Sequence, residues 1–124
     1  MGHEKMNVED LEIYQESMRI SDEIWTEIGT WDFFAKDTIG KQLARCADSI
    51  SANLSEGFGR FHYKENRNFC FYSRGSLDET ITFLTKAKTR NLIESVKAEK
   101  FIADLRILRK RLNAYIRSIG NNSQ

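Results

Sequence analysis

The apolar residues of this chain recur at intervals of three and four, the spacing that places side chains on one face of an α-helix. In the first such segment the intervals are 3, 4, 3, 4 and 3, and the stripe consists of Leu11, Tyr14, Met18, Ser21, Trp25 and Ile28, widened by Ile13, Ile20 and Ile24. The last segment repeats at 4, 3, 4, 3 and 4, with Phe101, Leu105, Leu108, Leu112, Tyr115 and Ile119. Such near-heptad spacing favours helices that cross at shallow angles, as they do in a four-helix bundle.

Two further helices are predicted between these segments. The stripe of the second consists of Leu43, Ala47, Ile50 and Leu54, and that of the third of Phe69, Tyr72, Ser76, Thr80, Phe83 and Ala87. We therefore predict helices over about residues 9–28, 37–57, 62–90 and 95–119. Short connections between them predict an all-α, antiparallel four-helix bundle in up-down-up-down order, with residues 1–124 forming a single domain.

Several residues are placed to begin or end these helices. Asp37 and Ser95 have side chains that can cap the starts of the second and fourth helices. Gly57 and Gly59 can supply the left-handed conformation with which the second helix would end, and Asn91 is placed to end the third.

The composition favours long helices in a reducing compartment. Proline is absent and there are only seven glycines, which leaves few residues that interrupt a helix. The two cysteines, Cys46 and Cys70, show neither metal-ligand spacing nor a disulfide framework, so we predict a cytoplasmic protein. No apolar run approaches the roughly 18 residues of a membrane span, and residues 1–10 are polar, unlike a signal sequence.

The predicted core becomes polar in the middle of the chain. Side chains that can hydrogen-bond fall where the helical period places buried residues, and burial of such groups is costly unless they find partners. We predict that these residues form a structural polar cluster in which Arg74, or Arg60, neutralises the glutamates. The predicted cluster consists of Asn53, Glu56, Arg74, Ser76 and Glu79.

The charges are distributed unevenly along the chain. Residues 1–59 contain 5 Lys+Arg and 12 Asp+Glu, whereas residues 60–124 contain 14 and 6. One interpretation is that the acidic first helix and the basic fourth helix are neighbours whose rim charges complement each other, at about 0–1 kcal/mol per pair. The alternative is an exposed basic surface that binds phosphates, with Lys86, Lys88 and Arg90 as further members. Its main residues are Arg106, Arg109, Lys110, Arg111 and Arg117.

The connectors between the helices are rich in aromatic residues. Trp31, Phe33 and Phe34 are too apolar for a free linker, and we expect them to fold over one end of the bundle. In the connector before the third helix, Phe58 and Phe61 are expected to hold the turn against the bundle.

The second connector also offers a weaker functional interpretation. Its aromatic residues alternate with cations, including Arg60 and Lys64, and such a combination can stack unpaired bases and hold their backbone. His62 has no cysteine or histidine at metal-ligand spacing, so we predict no metal site there.

Signatures of catalysis are missing from the sequence. It contains no phosphate-binding glycine loop, no paired-histidine metal motif and no nucleophile elbow. Glu56 and Glu79 could in principle act as an acid and base or hold a metal, but neither precedes a histidine by three residues, as the usual di-metal pattern requires. We predict a protein that is not an enzyme and that needs no cofactor or metal.

The polar segment and its flanks resemble a known family. The matching residues are Asp10-Leu11-x-Ile13-Tyr14, then Gln42-Leu43-x-Arg45-x-Ala47-x-Ser49-Ile50-x-x-Asn53-Leu54-x-Glu56-Gly57-x-x-Arg60, then Phe69 and Gly75-Ser76-Leu77-x-Glu79. On these residues the chain resembles the ribosomal-RNA intervening-sequence protein family, also called four helix bundle protein. Ser51 stands where relatives often have proline, and Ser73 where they often have alanine. Gly75 would let two helices approach closely, and Ser76 could hydrogen-bond toward Asn53.

The resemblance implies a function and an assembly. Relatives are encoded within large-subunit ribosomal RNA genes, and the family is similar to the accessory variability determinant of diversity-generating retroelements. That accessory protein forms a homopentameric ring and binds nucleic acid and a reverse transcriptase. By resemblance we expect a homo-oligomer that binds RNA or DNA through its basic surface, assisted by Arg60 and Lys64. The alternative is a protein-interaction scaffold, or accessory subunit, for a partner such as a reverse transcriptase.

Overall fold

The structure is a computed structural model that describes residues 6–120, and this range is helical without any strand. After a short 3-10 turn, Val8–Asp10, come four long helices: α1 (Glu12–Ile28), α2 (Lys41–Phe58), α3 (Tyr63–Thr89) and α4 (Ser95–Ser118). The predicted all-α class is confirmed. The ends of the predicted single domain, residues 1–5 and 121–124, lie outside the described residues.

The four helices pack around one core. α1 contacts α2 and α4, and α3 also contacts α2 and α4. Aliphatic side chains from all four helices fill the interior, including the almost completely buried Ile20, Leu43, Leu77 and Leu105. These contacts are those of a four-helix bundle, and the up-down-up-down order stays a prediction.

The chain enters α2 earlier than predicted. An α-helical turn, Phe33–Ala35, and a π-helical turn, Lys36–Gly40, precede α2 without a break. The cap is Asp32, whose backbone is extended and whose carboxylate accepts a hydrogen bond from the backbone N–H of Ala35 at 2.9 Å. The prediction of Asp37 as the cap is wrong, because this residue already lies inside the π turn.

The other predicted helix ends near α2 and α4 also need correction. Gly57 lies inside α2, and Gly59 has a right-handed φ of −79°, so neither adopts the left-handed conformation. Ser95 is the first residue of α4 rather than its cap. The preceding residue, Glu94, has an extended backbone, and its carbonyl oxygen accepts from the N–H of Ala98 at 2.9 Å.

The aromatic connector before α2 covers the bundle end only in part. Trp31 is buried as predicted, and its indole N–H donates to the carboxylate of Glu27 at 3.3 Å. Phe33 and Phe34 are 79% and 76% exposed, so the prediction is wrong for them. The Asp32 cap starts a helical turn at this point, and both phenylalanines fall on its outer side.

The predicted polar cluster does not form. The side-chain amide of Asn53 donates to the carbonyl oxygen of Ser49 within α2, at 2.9 Å. Glu56 is exposed and pairs with Arg60 at 2.8 Å, one turn further along. Glu79 is also exposed, so neither carboxylate needs a buried partner.

Arg74, Ser76 and Gly75 also differ from their predicted roles. Arg74 donates to the side-chain oxygen of Asn113 on α4 at 2.9 Å instead of neutralising a glutamate. Ser76 is buried, and its carbonyl oxygen accepts from the hydroxyl of Thr80 within α3 at 2.7 Å. A Cβ added at Gly75 would meet no atom within 4 Å, so the helices do not approach closely there.

Candidate nucleic-acid interface

Three of the predicted basic residues share the outer face of α4. Leucines and isoleucines bury the opposite face, which leaves Arg106, Lys110 and Arg117 exposed. At 3.6 residues per turn, these three positions lie within about 40° of one another around the helix axis. Neither Arg106 nor Lys110 makes an ion pair or a side-chain hydrogen bond with any residue between 6 and 120.

Arg109 lies at the edge of this face, next to α3. Its guanidinium Nε is 3.0 Å from a carboxylate oxygen of Asp78. The two side chains are 45% and 52% exposed, so water screens the pair and it contributes only about 0–1 kcal/mol. A phosphate group could therefore displace Asp78 at little cost.

Arg111 is on a different side of α4. It lies about 100° or more around the axis from the other cations, where α4 faces α1. There it lines a small groove of about 170 Å³ together with Glu16 and Asp104. The five predicted residues of α4 therefore do not form one surface, and Arg111 is separate from Arg106, Lys110 and Arg117.

The acidic first helix neutralises only one end of α4. Lys97 pairs with Glu27 of α1 at 3.1 Å, and this hydrogen bond raises the pKa of Lys97. Two other carboxylates of α1, Glu16 and Glu23, bind Arg19 of the same helix at 2.9 and 2.8 Å and raise its pKa. The predicted pairing between the charges of α1 and α4 therefore neutralises Lys97, but it does not neutralise the cations on the outer face of α4.

The turn between α2 and α3 places Arg60 and Lys64 at one end of the bundle. The Arg60 guanidinium lies 4.8 Å from the centre of the Phe69 ring, and Lys64 is exposed. Phe61 is 91% exposed, so it does not hold the turn against the bundle as predicted, whereas Phe58 is half-buried.

The same end of the bundle contains the end of α4. The guanidinium of Arg67, near the start of α3, donates to the carbonyl oxygen of Ile119 at 3.0 Å. Tyr63 also packs close to Gly120. The exposed Arg60 and Lys64 thus lie at the end of the bundle that α4 reaches with Arg117.

The two glutamates of the enzymatic hypothesis are far apart. Gly57, which follows Glu56, packs against Asn66 and Phe69 in the first turns of α3. Glu79 follows Phe69 by ten residues, or about 15 Å along the helix axis. The two carboxylates therefore cannot act on one substrate atom.

Residues 6–120 contain no group of three or more His, Cys, Asp or Glu side chains that could hold a metal ion. In the same range, every helix is too short or too polar to cross a bilayer.

The fold and this surface define a class: small helical bundle proteins with a cationic outer helix face. The chain belongs to the 23S rRNA-intervening sequence protein family, whose model matches residues 9–114. The resemblance seen in the sequence is thereby confirmed. No curated protein matches the chain.

A solved structure has the same fold. It is the crystal structure of a protein with unknown function from the S23 ribosomal protein family of Bacteroides thetaiotaomicron. The TM-score is 0.76 at 19% sequence identity, and the match covers 86% of this chain and 99% of the other. At this identity the likeness shows the fold alone.

Proposed function

We propose that this protein is a non-catalytic RNA-binding bundle that holds the phosphate backbone on the outer face of α4. The observation that carries the proposal is the exposure of Arg106 and Lys110 without an ion pair in the described part of the chain. Two adjacent cations that no carboxylate neutralises attract polyanions, and such contacts dominate nucleic-acid affinity. The family's name refers to intervening sequences of 23S rRNA, which favours RNA over DNA as the ligand.

One subunit offers few phosphate contacts, so tight binding requires several copies. An exposed aromatic surface provides a place for self-association: Trp25, Phe33 and Phe34 are 65%, 79% and 76% exposed near one end of the bundle. Exposed apolar patches of this kind commonly mark protein interfaces. We infer a homo-oligomer, a homopentameric ring by family resemblance, in which this aromatic surface contacts the next subunit and the α4 faces repeat around the ring.

RNA binding can be tested by fluorescence anisotropy with a labelled RNA hairpin, between about 50 and about 200 mM salt. The double variant Arg106→Gln/Lys110→Gln should bind more weakly and reduce the slope of log affinity against log salt by about 2 per subunit in contact with duplex. The control is Lys36→Gln/Lys100→Gln, which removes the same charge from elsewhere on the exposed surface.

The control separates a defined interface from general electrostatic attraction. If both double variants lose the same affinity, only the total charge matters and the α4 face is not the interface. Unchanged binding by the α4 variant would also reject the proposal.

Self-association can be tested by sedimentation velocity. Phe33→Ser/Phe34→Ser should shift the protein to monomers, because serine at these positions removes apolar area from the interface. Phe61→Ser, at the other connector, should leave the assembly intact. A monomeric wild-type protein, or equal dissociation by both variants, would reject the assembly.

A protein partner is the second candidate, and the same aromatic surface favours it. A reverse transcriptase or another polymerase could cover the surface in place of a second copy. Co-purification of one protein that survives nuclease treatment and is lost in Phe33→Ser/Phe34→Ser would support this function. Co-purification that nuclease abolishes would instead support an RNA-mediated contact.

A further inference from the structure

A second group of cations lies in a cleft between α2 and α3, away from the α4 interface. The cleft has a volume of about 540 Å³, and it contains four cations and one carboxylate, Asp37. No residue of α4 lines it. We call it the α2–α3 cleft, and its cations are Lys41, Arg45, Lys86 and Arg90.

Sequence spacing and helix packing together form this group. Lys41 and Arg45 are one turn apart on α2, and Lys86 lies one turn before Arg90, the residue that follows α3, so each pair lies on one side of its helix. Like charges at this spacing repel each other. Only Lys41 is neutralised within the described range, by Asp37 at 2.8 Å.

The remaining polar groups of the cleft are available to a ligand. Arg45, Lys86 and Arg90 form no ion pair, and the side-chain amide of Gln42 forms no hydrogen bond, with any other residue in the range 6–120. An amide offers both a donor and an acceptor, which suits the edge of a nucleobase. Three cations without a partner in a concave site indicate an anionic ligand with more than one charge.

Two apolar side chains line the cleft together with the cations. Ile39 is buried and Phe83 is half-buried, and we call these two residues the apolar floor. Ile39 belongs to the π-helical turn Lys36–Gly40, an irregularity that often occurs at functional sites. The volume falls within the range of about 300–1,000 Å³ that is usual for small-molecule sites.

We propose that the α2–α3 cleft binds a single nucleotide unit. The phosphates contact Arg45, Lys86 and Arg90, and the base packs on Phe83 within reach of the Gln42 amide. A free phosphate would leave the apolar floor in water, and a duplex is too wide to enter a concave site of this volume. The nucleotide is either free in solution or the 5′ end of an RNA strand, and both present the same chemistry.

The proposal stands apart from RNA binding by α4, and a matched pair of variants separates the two. Arg45→Gln/Arg90→Gln removes two charges from the cleft, whereas Arg106→Gln/Lys110→Gln removes two from the outer face of α4. All four side chains are exposed, so both variants should keep the fold, which circular dichroism and thermal melting would verify.

The experiment is an NMR titration of the isotopically labelled full chain. Amide chemical shifts are recorded as each probe is added, at low salt and in the presence of a chelator. The probes are ATP, UTP, tripolyphosphate and a short RNA with a 5′-triphosphate. We expect the nucleotides to shift the amides of Gln42 and Phe83, and to bind at least tenfold more tightly than tripolyphosphate. The cleft variant should lose at least tenfold in nucleotide affinity, while the α4 variant should bind nucleotides as the wild type does.

Two further comparisons sharpen the result. Phe83→Leu should reduce the preference for nucleotides over tripolyphosphate, because it removes the ring and keeps an apolar floor. In the Arg106→Gln/Lys110→Gln background, which removes the proposed RNA contacts of α4, tighter binding of the RNA than of free nucleotides would identify the strand end as the source. Equal or weaker binding would identify the free nucleotide.

Three results would overturn the proposal. The first is tripolyphosphate binding as tight as nucleotide binding, which would show attraction of charge alone. The second is an equal loss in both double variants, and the third is a set of shifted amides that excludes α2 and α3. If the α4 variant loses RNA binding but still binds nucleotides, the proposal for the cleft stands, because the lost RNA binding concerns the other surface.

Discussion

The hydroxyl of Ser73 on α3 donates a hydrogen bond to the backbone carbonyl oxygen of Ile50 on α2, at 2.8 Å. Ser73 is completely buried, so water cannot replace this bond. The sequence predicts a polar link between the same two helices but assigns it to Ser76 and Asn53. The link exists one helical turn away, at a position where relatives of the family often have alanine.

Ser73→Ala should lower the free energy of unfolding by about 1 kcal/mol relative to a helix-propensity control, the usual net value of one buried hydrogen bond. The control is Ser55→Ala, an exposed position of α2 where only the propensity changes. Urea denaturation of both variants measures the difference. Equal effects would show that the bond to Ile50 adds nothing to stability.

Gly57 rather than Gly75 is the glycine at which two helices approach closely. A Cβ at Gly57 would lie 2.8 Å from the Cβ of Phe69 and 2.8 Å from the side-chain oxygen of Asn66. Gly57→Ala should therefore destabilise the protein by about 1–3 kcal/mol, because α2 and α3 must move apart. Urea denaturation would again measure the change.

Gly75→Ala is the matched control for this prediction. It places the same methyl group in open space on an exposed turn of α3, where alanine favours the helix by about 0.5–1 kcal/mol. The two substitutions should have opposite signs. A stabilised Gly57→Ala variant would contradict the close contact between α2 and α3.

These outcomes show which parts of the fold the apolar spacing predicts. The stripe of α2 is buried as predicted, and that of α4 is buried except for the half-buried Tyr115. On α3 three residues of the predicted stripe, Ser76, Thr80 and Ala87, are buried, and the other buried residues are Cys70, Ser73, Leu77 and Leu84. The aromatic residues of that stripe look like core residues in the sequence, but Phe69 and Phe83 are half-buried and Tyr72 is 57% exposed.

α1 shows the same effect. The isoleucines that widen its predicted stripe, Ile13, Ile20 and Ile24, are buried as predicted, while Met18 and Trp25 are 39% and 65% exposed. Large apolar side chains that belong to a surface cannot be distinguished from core residues by spacing alone. Glu79 lies outside the buried face of α3, so it cannot join a buried polar cluster.

The candidate sites were predictable to different degrees. A single helix presents the cations of α4, so their spacing along the sequence indicates a common face. The α2–α3 cleft needs the packing of two helices, and the sequence points only to Lys86 and Arg90 on one of them. Pairs of cations one turn apart on both helices, Lys41 with Arg45 and Lys86 with Arg90, were the signal that was available.

Asn91 lies just after the end of α3, where the sequence predicts the helix to stop, and it adopts the left-handed conformation with a φ of 60°. The N–H of Leu92 donates to the carbonyl oxygen of Ala87 at 2.9 Å, and that of Asn91 to Lys88 at 3.0 Å, which together form a Schellman motif. Asn91→Ala should reduce the free energy of unfolding by about 1 kcal/mol, since a Cβ without a local hydrogen-bonding group disfavours this conformation.

Asn91→Gly provides the comparison, because glycine adopts a positive φ without steric cost. Its free energy of unfolding should stay within about 0.5 kcal/mol of the wild-type value and should exceed that of Asn91→Ala. Thermal and urea unfolding of the three proteins would measure the order. Equal stability of the alanine and glycine variants would contradict a constraint on the backbone at this residue.

Because the thiol of Cys70 is buried, it makes the stability of the protein depend on pH at high pH. It raises the pKa of this thiol from 9.0 to about 11. The folded protein therefore retains a proton that the unfolded chain releases. The contribution to stability is fully present below pH about 9, and it is lost as the pH rises toward about 11.

Cys70→Ala removes this titrating group, so its stability should fall less steeply with pH than that of the wild type in this window. Urea unfolding of both proteins at several pH values would measure the two slopes. Burial also raises the pKa of Cys46, and it does so in both proteins. Burial raises the pKa of Tyr115 as well, and the nearby charge of Cys70 adds to that rise, so the difference between the slopes measures Cys70 together with its effect on Tyr115. Parallel slopes would mean that the Cys70 thiol reaches water in the folded protein.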